Sequence, residues 1–374
     1  MDVIIDLKDL GERLAVVDAT VMRLIKHRMD LARLVGENKI ETEKKIFRSD
    51  IEDERIGRIV SIARELGLNP HFATSLLYLL INESCKLQMI QLQEGRSSNI
   101  LETESEWHSR LKRNLLQLTE RWCETYDDHY DEGHFATREY LAYEQEIVTR
   151  EISKLDDRHL FLDLGCATGR MTFQVCDTFE RVVGFDLSQH MVTNARRQAD
   201  LLKLESQVSF EQIDLEEGIP IPNESVSFVM MNLGTASDIP NFDQLLQEIL
   251  RVLIPGGRFM LSFYNREALV YRWELLPWDA GLAARIDLRR DCLDVHTEEG
   301  MVSVYARAYT VAEVTNALRE TFDLNIITYP TISAILPNEV FTGQAEMEAL
   351  ITQIDQSLVE SGMGAYIIAT GQKR

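Results

Sequence analysis

Two sets of residues in this chain have the types and spacing to do chemistry. The first begins with the apolar run His159–Leu164, which leads into Gly165-Cys166-Ala167-Thr168-Gly169-Arg170. Gly165 allows a sharp turn and a close backbone approach to a ligand, because no Cβ stands in the way. Gly169 lets the next helix start close to the sheet, where its free N–H groups can bind polar ligand atoms. A second apolar run, Arg181–Asp186, ends in an acid 23 residues beyond Asp163. An acid at that position can hold both ribose hydroxyls of a nucleoside. NAD sites favour G-x-G-x-x-G/A, whereas this turn reads Gly165-x-x-x-Gly169. The second set lies near the N-terminus. Leu10, Leu14, Val17, Val21, Leu24, Arg28, Leu31 and Val35 alternate at spacings of four and three, one face of a long helix with a coiled-coil-like seam. A guanidinium inside such a stripe is costly without an anionic partner. Lys39, at the next seam position, poses the same question. Further on, Ser84 and Gln88 put two hydrogen-bonding groups one turn apart on another helix face.

These residues need elements to position them. Three helical patterns, about 5–40, 50–66 and 70–92, come first, and the polar stretch 93–106 reads as a linker. A helical region spans about 107–154. From 159 onward apolar strands alternate with amphipathic helices, which argues for a parallel α/β sheet. The expected domains are therefore 1–92, helical, and 107–374, α/β with a helical lid at its start.

The net charge of −22 falls almost wholly beyond residue 90. An acidic catalytic half repels phosphate backbones, so nucleic acid is not the expected substrate, and small molecules are. No apolar run is long enough for a membrane span, and the acidic start lacks a secretory pattern. Five scattered cysteines without CxxC spacing suggest reduced thiols in the cytoplasm, with no metal site.

Asp163-Leu-Gly-Cys-Ala-Thr-Gly169, Gly184-Phe-Asp-Leu-Ser188, Gln212-Ile-Asp214 and Leu253-Ile-Pro-Gly-Gly-Arg-Phe259 resemble successive motifs of the class I S-adenosylmethionine-dependent methyltransferases. The resemblance covers about 155–371. It implies a Rossmann-like seven-stranded sheet whose last strand, near 362–371, is antiparallel. By the same matching Asp163, Gly165, Cys166 and Gly169 would surround the methionine part of S-adenosylmethionine. Asp186 and Leu187 would hold the ribose, Asp214 and Leu215 would sit at the adenine, and Asn232 would face the methyl group. Over about 5–92, His27-Arg28-Met-Asp-Leu-Ala32, Glu37-Asn-Lys39 and Asn82-Glu-Ser84-Cys-Lys-Leu-Gln88 resemble the all-α chorismate mutases, a family of intertwined three-helix homodimers. That resemblance implies that Arg28 pairs with a substrate carboxylate. Lys39 and Gln88 would donate to the breaking ether oxygen, Ser84 would bind a carboxylate or hydroxyl, and Glu52 would match the glutamate of the Arg-Glu pair that opens the family's second helix. Two features depart from the family: Gly11 stands where it carries an arginine, and the arginine that opens its second helix is missing.

Between Tyr264 and Tyr309 lies a segment too long for a plain turn. Tyr264, Tyr271, Arg272, Trp273, Trp278, Tyr305 and Arg307 suit a planar or carboxylated acceptor, or else a packed cover on the sheet edge. Tyr126 and Tyr130 would line the opposite wall, and His296 and His129 are candidate bases. Taken together, the residues favour a bifunctional enzyme that rearranges chorismate and methylates a small acid or aromatic. Two alternatives stand beside it. In one the first domain only senses chorismate or prephenate, or dimerises. In the other the second domain makes carboxy-S-adenosylmethionine from prephenate, with Arg266 or Arg307 holding the carboxylate.

Overall fold

The computed structural model describes residues 7–42, 49–97, 103–131, 133–272, 284–287, 290–297, 300–336, 338–341 and 343–374. The chain divides into two compact units, Met1–Glu102 and Thr103–Arg374.

The first unit is three helices: α1 (Leu7–Glu41), α2 (Ser49–Glu65) and α3 (Pro70–Ser97). Helix α1 packs on α3 through Met29 and Ala32, which are buried. It also does so through Gly36, where an added Cβ would lie 2.8 Å from Gln88 Cγ. The stripe expected as a seam is not covered within the chain: Leu14 is 63 % exposed and Leu24 64 %, and Leu31 and Val35 are also exposed. The predicted linker 93–106 is shorter than its polarity implied. Helix α3 runs to Ser97 and α4 starts at Glu104. The reason at the second end is a reciprocal cap. Glu106 N donates to Thr103 Oγ1, and Thr103 N donates to Glu106 Oε2.

The second unit opens with α4 (Glu104–Trp122), α5 (Tyr126–Asp131) and α6 (Phe135–Ser153), so the helical region near 107–154 is broken twice. Next come β1 (Leu160–Leu164), α7 (Arg170–Val175), β2 (Arg181–Asp186), α8 (Gln189–Leu202), β3 (Val208–Gln212), β4 (Val226–Met231), α9 (Phe242–Val252) and β5 (Leu253–Tyr264). The chain continues through α10 (Leu269–Arg272), β6 (Ala284–Asp287), β7 (Cys292–Thr297), β8 (Gly300–Tyr305), α11 (Val311–Ala317), β9 (Phe322–Tyr329), α12 (Ala345–Ser357) and β10 (Tyr366–Gln372).

Seven strands form one sheet in the order β3-β2-β1-β4-β5-β10-β9. All its pairings are parallel except those of β10, which runs antiparallel to β5 and β9. Alternation along β1 shows why both faces are covered. Leu160, Leu162 and Leu164 enter a core shared with Phe242, Leu245, Ile249 and Val252 of α9, while Phe161 enters the opposite core with α6, α7 and α8. The segment between Tyr264 and Tyr309 holds a second, antiparallel sheet, β6-β7-β8. Leu118 of α4 packs with Val295 and Val304 of this small sheet, and Asn114 Nδ2 donates to Ser303 O at 2.8 Å. Among the described residues no helix is long and apolar enough to cross a membrane.

Candidate functional site

In the first unit the predicted groups meet across α1 and α3. Arg28 Nη1 donates to Ser84 Oγ and to Leu80 O, both at 2.5 Å. Lys39 Nζ donates to Gln88 Oε1 at 3.1 Å, and Ser84 and Gln88 are both buried. Eleven residues, about 16 Å of helix, separate the two cations along α1, whereas their partners lie one turn apart on α3. Lys39 therefore reaches back along its helix, as helical side chains do. The carbonyl oxygen of Gln88 takes the lysine, which leaves its amide N–H groups as donors. The Glu52 side chain lies outside the described residues. Gly11 is exposed on α1, with no atom of another residue near the place a Cβ would occupy.

In the second unit the chemistry gathers at the carboxyl ends of β1–β4, the edge where open parallel sheets bind ligands. Gly165 N and Cys166 N donate to Phe185 O at 2.7 and 3.0 Å, which folds the turn back onto β2. Gly165 (φ 83°) and Gly169 (φ 85°) take conformations that favour glycine, and Ala167 (φ 45°) is held there despite its Cβ. A Cβ on Gly165 would lie 2.5 Å from Thr235 Cγ2, and one on Gly169 would lie 2.7 Å from Phe210 Cζ. The turn is also tied to α5, because Thr168 Oγ1 donates to Asp127 Oδ1 at 2.9 Å. Asp186 is fixed by two backbone donors, Ala167 N on Oδ2 and Ser188 N on Oδ1, each at 2.8 Å. Lone pairs remain on each of its oxygens for ligand hydroxyls.

A cavity of about 180 Å³ runs along this edge. Asp214, Leu215 and Glu216 line its β3 end, then Asp186 and Leu187, then Gly165 and Ala167, and Thr235 and Asp238 line the end beyond β4. Helix α4 supplies the cover through His108, Leu111, Lys112, Leu115, Leu116 and Thr119, and Tyr126 and Tyr305 close the sides. Lys112 pairs with Asp214 and, at 2.9 Å, with Glu216. Thr119 Oγ1 donates to Ser188 Oγ at 2.9 Å. Sequence reasoning missed Lys112, His108 and Asp238. Helix α4 carries no ligand motif, and only the fold brings it over the β2 and β3 ends.

Two buried carboxyls stand behind the cavity. Burial pushes Asp163 up to about 7; the Thr172 hydroxyl, donating to Oδ2 at 2.6 Å, opposes the rise, and the charge of Asp186 adds to it. Burial likewise pushes Glu144 up to about 7, against the hydrogen bonds it accepts from the Tyr140 hydroxyl and Leu233 N. Glu144 thereby holds the loop after β4, which Gly234 N anchors again on Ser262 Oγ at 2.8 Å. A carboxyl raised in the fold favours folding below its unfolded value and loses that contribution as pH rises through the folded one. Stability of this unit should therefore fall between pH 5 and 8, by about 2–3 kcal/mol for each group. Urea unfolding of Glu144→Gln should give a flatter profile than wild type. Parallel profiles would show that Glu144 does not titrate with unfolding.

The remaining predicted residues disperse. Asn232 is not among the residues lining the cavity, and its carbonyl accepts from Thr235 N and Oγ1. Tyr130 packs edge-on to Tyr126, with ring centroids 4.9 Å apart. Tyr264 lies tilted against Tyr366 and close to Gly234, and is not among the residues lining the cavity. Arg307 lies over the Tyr309 ring and lines a different cavity beside Glu313. Its Nη2 is 3.4 Å from Glu313 Oε1, and Arg266 Nη2 is 3.6 Å from the same oxygen. Of the arginines expected to hold a carboxylate, Arg266 and Arg307 thus face an internal acid. Trp273 and Trp278, and the side chains of Tyr271, Arg272, His129 and His296, lie outside the described residues.

A methyltransferase domain model matches residues 155–284, and a chorismate mutase type II model matches residues 10–89. The chain joins a chorismate mutase type II domain to a methyltransferase domain. The methyltransferase domain is of the S-adenosylmethionine-dependent class. Over 108 residues it is 36 % identical to an S-adenosyl-L-methionine-dependent Diels-Alderase of Talaromyces variabilis, covering 28 % of this chain and 36 % of that one. Over 113 residues it is 31 % identical to a probable S-adenosylmethionine-dependent methyltransferase of Saccharomyces cerevisiae, covering 30 % and 38 %. The chain thus spans well under half the length of these two relatives. A protein of known structure from Pyrococcus horikoshii aligns over 66 % of this chain and 95 % of its own, at 17 % identity and a TM-score of 0.44.

The residues fit S-adenosylmethionine. Asp163 keeps Oδ1 buried without a hydrogen-bond partner, an acceptor suited to an ammonium. Asp186 offers the free lone pairs that a ribose diol needs. Leu111, Leu115, Met191, Ile213 and Leu215 give the β3 end of the methyltransferase cavity an apolar wall for a purine. At the same end, Lys112 and Glu216 N already occupy the Asp214 carboxylate.

Proposed function

We propose that this chain is a bifunctional enzyme: the mutase domain rearranges chorismate to prephenate, and the methyltransferase domain methylates a small aromatic metabolite. The convergence of Arg28, Lys39, Ser84 and Gln88 on one α1–α3 face carries the first half. In the rearrangement one C–O bond breaks and one C–C bond forms within a single molecule. No covalent partner is needed, only donors where charge develops. Arg28 would pair with a carboxylate, and Lys39 with the Gln88 amide would stabilise the ether oxygen as it gains negative charge. Bound S-adenosylmethionine would supply an electrophilic methyl group. The chain's part is then to hold the ribose on Asp186, keep the ammonium near Asp163 and exclude water beneath α4.

The mutase half is tested by following loss of chorismate absorbance with the purified full chain. Turnover supports it. Chorismate binding without turnover would make the domain a sensor, and neither would leave a dimerisation module. The exposed stripe on α1 supports a second copy of this chain as its cover, since a continuous apolar helix face seeks burial. Sedimentation should then give the mass of two chains, and Leu24→Glu with Leu31→Glu should give that of one.

Gly165→Ala tests the cofactor site. The new Cβ must displace Thr235 and adopt a left-handed backbone that costs about 1–2 kcal/mol. S-adenosylmethionine affinity should drop about tenfold, with chorismate turnover unchanged. Unaltered affinity would place the cofactor elsewhere.

A further inference from the structure

Asp238 has no role in the site described so far. It closes a one-turn 3-10 helix, Thr235–Asp238, that follows β4. Ser237 beside it is held on two sides: its Oγ accepts from Tyr264 N at 2.9 Å, and its carbonyl accepts from Arg307 N at 2.8 Å. The backbone that presents Asp238 is therefore fixed.

Its place along the sheet edge decides what it can touch. The strand order β3-β2-β1-β4 puts Asp214 and Asp186 at one end of the cavity and Asp238 at the other. The nucleoside belongs with the first two, so Asp238 faces the end left for the second substrate. Tyr126 and Tyr305 flank the cavity, and the Tyr130 hydroxyl lies near enough to feel the Asp238 charge. Among the described residues no Lys or Arg lines that end of the cavity. Lys112, the lysine that does line it, is held at the far end by Asp214 and Glu216. No hydrogen-bond donor reaches the Asp238 carboxylate among the described residues. Asp238 is half-buried in the cavity wall, and this partial loss of water pushes its ionisation well above the usual carboxylate range. A desolvated carboxyl of this kind gains most from a ligand that brings its own positive charge or a strong hydrogen-bond donor.

We propose that Asp238 is a specificity-determining residue that anchors a cationic or N–H-bearing group of an aromatic methyl acceptor, and that this end of the cavity rejects carboxylates. The inference rests on the methyltransferase reading above and narrows its substrate class. It reverses the expectation of a carboxylated acceptor, because Arg266 and Arg307, the described arginines of that set, face Glu313 instead.

The test uses the full chain loaded with S-adenosylhomocysteine and titrated calorimetrically with a pair of opposite charge on the same ring, phenethylamine and phenylacetate. The amine should bind about tenfold or more tightly than the acid, and Asp238→Asn should abolish that preference while S-adenosylhomocysteine affinity stays within about twofold. Equal binding of the pair, preference for the acid, no binding of either, or an amine preference that survives Asp238→Asn would overturn the proposal and leave the methyltransferase reading intact. Loss of S-adenosylhomocysteine affinity in Asp238→Asn would assign the residue to the cofactor instead and also overturn it. Failure of the wild-type chain to bind S-adenosylhomocysteine would defeat the methyltransferase reading itself.

Discussion

Lys39→Ala should reduce chorismate turnover by about 10²–10³-fold while leaving S-adenosylmethionine affinity unchanged. The size follows from where the lysine acts. Removing one charged donor from the position where negative charge develops removes stabilisation that the ground state never received. Lys39 is also suited to the substitution. It donates to Gln88, a neutral amide, and alanine in its place is a better helix former. Arg28 bonds to both Ser84 and Leu80, so Arg28→Ala disturbs packing as well as charge. Initial rates of chorismate consumption at saturating substrate give the measurement. The departures at Gly11 and at the opening of α2 make the wild-type rate informative too, because a dianion held by fewer cations binds more weakly by about 1.5–3 kcal/mol per lost charged bond. A Lys39→Ala rate equal to wild type would remove the lysine from the reaction.

Arg258→Met should destabilise the methyltransferase domain by about 3–5 kcal/mol. Arg258 on β5 is 4 % exposed, and its Nε and Nη2 both donate to Glu151 Oε2 of α6, at 2.9 and 2.6 Å. Nη2 also meets Asp323 Oδ2 at 2.6 Å. Glu151 is 1 % exposed, and its remaining partners are Lys154 at 2.9 Å and Arg150 at 3.5 Å, both on the surface side. Removing the guanidinium takes two charged hydrogen bonds from a buried carboxylate and leaves Lys154 as its nearest cation, and that loss exceeds the net value of the pair. The double variant Arg258→Met with Glu151→Met should recover most of the loss, since an apolar replacement of similar volume has no charge to desolvate. Urea midpoints of the three proteins decide the matter. A single variant as stable as wild type would show that Glu151 finds water or another cation in its place.

How much a residue reveals in the sequence depends on whether its role is local or set by distant packing. Gly165, Gly169 and Asp186 were legible because their roles are local: a turn that needs glycine, a helix start, an acid at a strand end. The parallel α/β character followed from apolar runs alternating with amphipathic helices, since strands buried on both faces leave an unbroken hydrophobic record. Arg28, Lys39, Ser84 and Gln88 were legible as polar intrusions on apolar helix faces, and the structure brings them together in pairs. The acceptor wall was not legible. Tyr264 and Arg307 have the chemistry of a binding site, yet they pack against Tyr366 and Glu313, because side-chain type does not say which way an excursion folds. Asp238 and Lys112 gave no sign. One closes a short turn after β4 and the other sits on a polar helix, where an acid or a lysine is ordinary. Sequence by itself determined the helical and α/β segments, the glycine turn with an acid at the next strand end, and the polar groups on the apolar helix faces, because these depend on short-range geometry. Only the tertiary structure decided that α4 covers the cavity, that the arginines turn to Glu313 and that Asp238 closes the far end. Those outcomes depend on long-range packing, in which each charge takes the partner the fold puts within reach.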